Sequence, residues 1–87
     1  PEERNLENLN KRVERVMKDD VVSIHDSENL VFIKTVTGAA HAVAAVLDEL
    51  NWREVLGTIA GDDSIIMVVK PKEAVEEVTR RLDSLRR

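Results

Sequence analysis

The apolar pattern of this sequence predicts an α+β fold. The expected form is a two-layer sandwich in which a four-stranded, mainly antiparallel sheet carries helices, in the order αββαββα. Three observations predict it. Apolar residues recur at helical spacing in three separate segments, one at each end of the chain and one in the middle. Two pairs of short aliphatic runs lie between those segments, each pair split by a few turn-forming residues. Each pair reads as a hairpin, and two hairpins joined by a helix form one sheet with the helices on one face.

The elements follow in order. Leu6, Leu9, Val13, Val16 and Met17 make one apolar stripe, which predicts an opening helix over about 3–18, ended by Asp19-Asp20. Val21 to Asp26 and Leu30 to Val36 read as strands around a turn at Ser27-Glu28-Asn29. Gly38 breaks the chain before a second helix over about 39–51. A third strand is expected at about 54–60 and a fourth at about 64–70. Pro71 then stands near the first position of a last helix, about 71–86, where its missing N–H costs little. Val75, Val78, Leu82 and Leu85 supply the buried stripe of that helix. No internal repeat or low-complexity linker interrupts the series.

Composition narrows the class. With 87 residues the chain suffices for one domain, and 43% hydrophobic against 2% aromatic residues requires an aliphatic core. A domain this small buries roughly two thirds of its unfolded-chain surface, which leaves it marginal without help. Cysteine is absent, so neither a disulfide framework nor a thiolate metal site is available, which fits a reducing compartment. No apolar run approaches a membrane span, and no signal-peptide pattern opens the chain. The chain begins with Pro1 rather than Met, which reads as an excised domain whose upstream partner domain is missing. Formal net charge is −4, from 17 acidic and 13 basic residues, which argues against this piece gripping nucleic acid by itself. Lys11, Arg12 and Arg15 are mixed with Glu7 and Glu14, and Arg80, Arg81, Arg86 and Arg87 follow Glu73, Glu76 and Glu77. Both patterns read as solvated helix faces with spaced ion pairs.

Three features do not suit a lone two-layer domain. Ile65-Ile66-Met67-Val68-Val69 and Leu30-Val31-Phe32-Ile33 do not alternate, although an antiparallel sheet with one wet face should. Either the first helix wraps the second face or another subunit covers it; oligomerisation is the favoured expectation. The second helix places Val43, Val46, Leu47 and Leu50 on one side, toward the sheet, and His41, Ala44, Ala45 and Asp48 on the other. That outer side reads either as an alanine-rich exposed face or as a surface that a ligand or subunit approaches closely. Finally, Gly57-Thr58-Ile59-Ala60-Gly61-Asp62-Asp63-Ser64 sets two adjacent carboxylates at a strand end. Gly-Asp and Asp-Ser are ordinary turn dipeptides, so a solvated turn accounts for them. Alternatively they await a cation, although Asp62 and Asp63 alone offer a divalent metal too few ligands. Ser23, Ser27, Ser64 and Ser84 lie in no nucleophile motif, and no glycine-rich phosphate loop is present.

This Gly57–Ser64 run resembles the signature of the bacterial arginine repressor's C-terminal domain. Asn29-Leu30-Val31-Phe32-Ile33-Lys34-Thr35-Val36 resembles the strand that precedes the ligand helix of that family, and Gly38-Ala39-Ala40-His41-Ala42-Val43-Ala44 with Leu47-Asp48 resembles the helix. Leu50-Asn51-Trp52, leading into Glu54-Val55-Leu56-Gly57, resembles its exit. The likeness covers about residues 20–70. Thr37 stands where the family often has proline, and His41 where it often has glutamine.

The resemblance implies a DCoH-like plait, with residues 1–19 a helix following an interdomain linker and 20–87 the arginine-binding and oligomerisation domain. It further implies homotrimers that pair into hexamers and L-arginine bound between trimers as co-repressor, with no other cofactor and no metal. By the family pattern Asp62 and Asp63 contact arginine, at least one of them across the trimer interface. His41 and Asp48 meet the α-amino-acid end, and Thr58 and Ala60 add hydroxyl or backbone contacts. Operator DNA would be met only through a winged-helix domain absent from this chain, and the expected setting is cytoplasmic, without membrane contact. Two other classes stand beside this reading. Pterin dehydratases resemble the domain in fold, but His25 and His41 do not make the histidine-rich site their catalysis needs, so no enzyme is expected. A ligand-independent oligomerisation module of a similar plait is the alternative.

Overall fold

A computed structural model describes residues 2–87. The element order is α1 (Glu2–Asp19), β1 (Val21–Ser27), β2 (Leu30–Thr35), α2 (Ala40–Asp48), β3 (Val55–Ala60), β4 (Ser64–Val69) and α3 (Val75–Leu85), with a short 3₁₀ turn at Lys72–Ala74 before α3. This is the α+β order expected, and every strand pair is antiparallel, in the sheet order β1-β2-β4-β3. The two hairpins therefore meet through β2 and β4, which become the central strands. Those are the two runs that fail to alternate.

Register explains the pattern. Ile24, Ile33, Ile65 and Ala60 form one row across the sheet and face the helices. His25, Phe32, Ile66 and Ile59 form the neighbouring row and face away, because successive side chains on a strand point to opposite faces. Ile33 and Ile65 are fully buried, whereas Phe32 keeps 37% of its surface exposed, Ile66 42% and Ile59 70%.

All three helices pack on the first face. Val13, Val16 and Met17 of α1, Val43, Ala44 and Leu47 of α2, and Val75, Val78 and Leu82 of α3 join Val31, Ile33, Ile65, Met67 and Val69 in one core. The possibility that α1 wraps the second face is thus overturned. Its apolar stripe is satisfied by the other helices, and among the described residues nothing covers the row that contains Phe32 and Ile66.

Local differences from the sequence expectation have local causes. Leu6 is 59% exposed rather than part of the buried stripe, which begins at Leu9, because α1 runs past the core toward its N-terminus. Helix α2 ends at Asp48, three residues early. Glu49, Leu50 and Asn51 bond back only three residues, and Asn51 adopts φ +51, a left-handed conformation that ends helices. Ala44 lies in the core at 6% exposed instead of on the outer side with His41 and Asp48, while Val46 and Leu50 are only partly buried. The short helix is rotated so that Ala40, Val43, Ala44 and Leu47 touch the core. Pro71 stands in extended conformation before the 3₁₀ turn, not inside α3.

The two faces of β2 give a direct test. Ile33→Ala is expected to cost about 2–5 kcal/mol in urea denaturation, as for other large-to-small core changes. Phe32→Ala, its neighbour on the open face, should cost far less in dilute protein. Equal losses at low concentration would mean that both faces are covered within a single chain.

Candidate functional site

The acidic turn is tied into the fold rather than hanging as a free hairpin tip. Gly61 N–H donates to Ser64 O at 2.8 Å and closes the turn between β3 and β4. Thr35 N–H donates to Asp63 O at 2.8 Å, and Ala40 N–H to Asp62 O at 3.2 Å. These two bonds seat the turn against the loop between β2 and α2. Gly38, at φ +82, adopts a conformation few other residues tolerate and presents its N–H to Asp62 Oδ2 at 3.3 Å. The turn therefore lies beside the N-terminus of α2, where His41 is exposed one residue into the helix.

Asp63 is the more engaged of the pair. Lys34 Nζ donates to its Oδ2 at 2.7 Å and Ser64 Oγ to its Oδ1 at 3.0 Å. The hydrogen bond from Lys34, then that from Ser64, holds its carboxyl below the usual aspartate range. Asp62 is exposed to solvent.

Asp48 closes the opposite end of α2. Thr58 Oγ on β3 donates to Asp48 Oδ1 at 2.9 Å, so the carboxylate is oriented against the sheet edge. A cleft of ≈ 540 Å³ opens beside this pair, lined by Asp48, Asn51, Trp52, Arg53, Leu56 and Thr58. The structure thus divides the six expected ligand residues. Asp62 bonds to the start of α2, where His41 is exposed, the adjacent Asp63 bonds to Lys34 and Ser64 on the sheet, and Asp48 with Thr58 gathers at the far end of α2. At 1.5 Å per residue, His41 and Asp48 are about 10 Å apart along the helix axis. Ala60 stands on β3 between the two clusters. Its side chain packs on the core, which leaves only its backbone to offer a ligand. A larger groove of ≈ 600 Å³ between α1 and Glu49 shares no residue with either cluster. Among the described residues no group of three or more His, Asp or Glu is placed to hold a metal.

The model of the family described as arginine repressor, C-terminal domain, matches residues 17–84. The chain belongs to this family. Among curated relatives, an arginine repressor of Moorella thermoacetica is 55% identical over 74 residues, covering 85% of this chain and 49% of the relative. One from Desulfitobacterium hafniense is 49% identical with the same coverage. One from Heliobacterium modesticaldum is 50% identical over 76 residues, 87% of this chain and 48% of the relative. The chain spans about half the length of the curated relatives it matches.

In this arginine-repressor C-terminal domain, two groups beside the acidic turn and the cleft escaped sequence reasoning. Lys34 was visible as the one charged residue in an aliphatic strand, and its register opposite Ser64 is what carries it to Asp63. The sequence pattern places Arg81 on a solvated helix face. It is instead a tertiary tie from α3 to the loop before β3. Its Nη1 and Nη2 donate to Glu54 Oε1 and Oε2 at 3.1 and 2.8 Å, and its Nε donates to Glu77 Oε2 at 3.0 Å. The guanidinium also lies 5.3 Å from the Trp52 ring centre, a cation–π geometry. That fixes Trp52, one wall of the cleft. No helical spacing reveals Arg81–Glu54, because the partners are 27 residues apart. Among the described residues no helix is long and apolar enough to cross a membrane.

These ion pairs set a pH response. The Arg81 hydrogen bonds hold the Glu54 carboxyl below its usual range, and Arg80 followed by Arg81 does the same for Glu77. A carboxyl depressed in the folded state stabilises it above the unfolded value and loses that contribution as pH falls through the folded value. The thermal midpoint should therefore hold through neutral pH and fall below about pH 4, where carboxylates begin to protonate. Arg81→Met should flatten that fall. An identical acid response in the variant would remove this network as its cause.

Proposed function

We propose that this domain is the arginine-sensing, oligomer-forming half of a transcriptional repressor of arginine metabolism genes. L-arginine is its co-repressor, bound between trimers, and tightens a hexamer. The observation that carries this reading is the acidic turn docked at the start of α2, beside a sheet face that the single chain leaves apolar and open. An apolar face of this kind favours cover by another copy.

The chemistry suits arginine at both ends. A carboxylate accepts two parallel N–H bonds from a guanidinium, a geometry that lysine's ammonium does not reproduce. Asp62 and Asp63 supply such carboxylates. Asp48, held by Thr58, offers a second anionic group for the α-ammonium. The first turn of α2 carries no acidic residue and no side-chain cap, so His41 and the N–H groups that follow the engaged Ala40 suit the α-carboxylate. Because the two clusters lie at opposite ends of α2, subunits that meet at this surface would present the acidic turn of one chain to the far cluster of another. Backbone at Ala60 and the Thr58 hydroxyl complete the set.

Ligand bound across an interface favours the assembled form by mass action, by about 2.7 kcal/mol at a hundredfold excess over its dissociation constant. Without ligand, facing acidic turns repel one another. In a complete repressor, assembly would be transmitted to a DNA-binding domain in the other half of the chain, in the cytoplasm where operator DNA is met. A second reading, a ligand-independent oligomerisation module, has one observation in its favour. Asp62 and Asp63 both bond within their own chain, to Gly38 and to Lys34, which would retain them without any ligand.

Calorimetry separates the two. Arginine is expected to give a binding heat that lysine does not match. Equal heats for both, or none for arginine, would leave only the oligomerisation module. Asp63→Asn should weaken arginine binding about tenfold or more, the usual loss when a charge-assisted hydrogen bond goes. It should leave the trimer intact by sedimentation, and a monomeric variant would move Asp63 from the ligand to the assembly itself.

A further inference from the structure

Asp62 and Asp63 are adjacent in sequence, yet they face opposite sides of the sheet. Asp62 turns toward α2, where Gly38 N–H reaches its Oδ2 at 3.3 Å. Asp63 turns toward the open face. Lys34 lies on that face because it stands two residues beyond Phe32 on β2 and alternates with the buried Ile33 and Thr35. Ser64, its cross-strand partner on β4, lies there for the same reason, one residue before the buried Ile65. The ammonium and the hydroxyl take one Asp63 oxygen each, at 2.7 and 3.0 Å. Asp63 thus already holds a cation before any ligand arrives.

We infer that Lys34 is a resident counter-ion which competes with the ligand's cationic group for Asp63 and so sets the affinity of the site. The inference rests on the arginine reading given above. An incoming guanidinium, with two parallel donors, can replace the Lys34 ammonium and the Ser64 hydroxyl together, one on each carboxylate oxygen. The released ammonium returns to water, which is feasible because the Lys34 side chain is 45% exposed and that of Asp63 40%. In the ligand-free protein the same ammonium offsets the Asp63 charge and lowers the repulsion between acidic turns. Lys34 therefore sets two quantities with opposite sign: it weakens ligand binding and eases association without ligand.

Exposed ion pairs are worth up to about 1 kcal/mol, so removing the competitor should tighten ligand binding by up to about fivefold. Calorimetry with L-arginine on the full chain, with sedimentation on the same samples to count differences in assembly, would compare three variants with the wild type. Lys34→Met and Lys34→Gln are expected to bind arginine more tightly. Lys34→Arg, whose forked guanidinium holds Asp63 harder, should bind it more weakly. Unchanged or weaker binding in both neutral variants, with normal binding in the wild type, would overturn the role of Lys34 and leave the arginine reading standing. No heat in the wild type would overturn the arginine reading and the competition together.

Discussion

A four-stranded sheet has two faces, and the three helices of this domain cover one of them. The rest of the structure depends on that constraint. It turns Ile33, Ile65 and Met67 into core and leaves Phe32 and Ile66 partly in water on the same strands, with Ile59 beside them on β3. A small aliphatic domain gains its stability from removing such surface, roughly 25 cal/mol per Å². The open row is therefore a place where more burial is available, and a second copy of the chain can supply it. On the proposed reading, stability, assembly and ligand response would be coupled through this uncovered layer.

The acidic turn lies where the two layers meet. Its backbone is held by Thr35 and Ala40, so the carboxylates are presented from a fixed frame. The bend between β3 and β4 then turns Asp62 toward Gly38 at the helix layer and Asp63 toward Lys34 and Ser64 on the open face. A turn on one layer alone would bind a ligand or line an interface. This turn touches both, through Gly38 and Ala40 at the start of α2 on one side and through Lys34 on the sheet on the other. On the proposed reading, this placement would let one small cation report on a contact between subunits.

Much of this was legible in the residues. Helical spacing at Leu9, Val13, Val16 and Met17, and at Val75, Val78 and Leu82, names the core faces of α1 and α3 because a helix repeats its apolar face at every turn. The failure of Leu30–Ile33 and Ile65–Val69 to alternate correctly signals two apolar faces. Short helices are less legible. Over the nine residues of α2 the stripe is too brief to fix rotation, so Ala44 fell on the wrong side and the left-handed Asn51 went unseen. Arg81, Glu54 and Trp52 were unreadable as a group, since nothing in local spacing pairs residues on different elements.

The sequence by itself determined the class, the element order, the strand pairs and the residue types available for a cation, because these follow from periodicity and turn chemistry within short windows. Only the tertiary structure decided which strands became central, which face stayed open, and that Asp62 and Asp63 serve different layers. Those outcomes depend on register between distant segments. A single-residue shift in register would exchange the two faces, and with them the partner of every side chain at the turn.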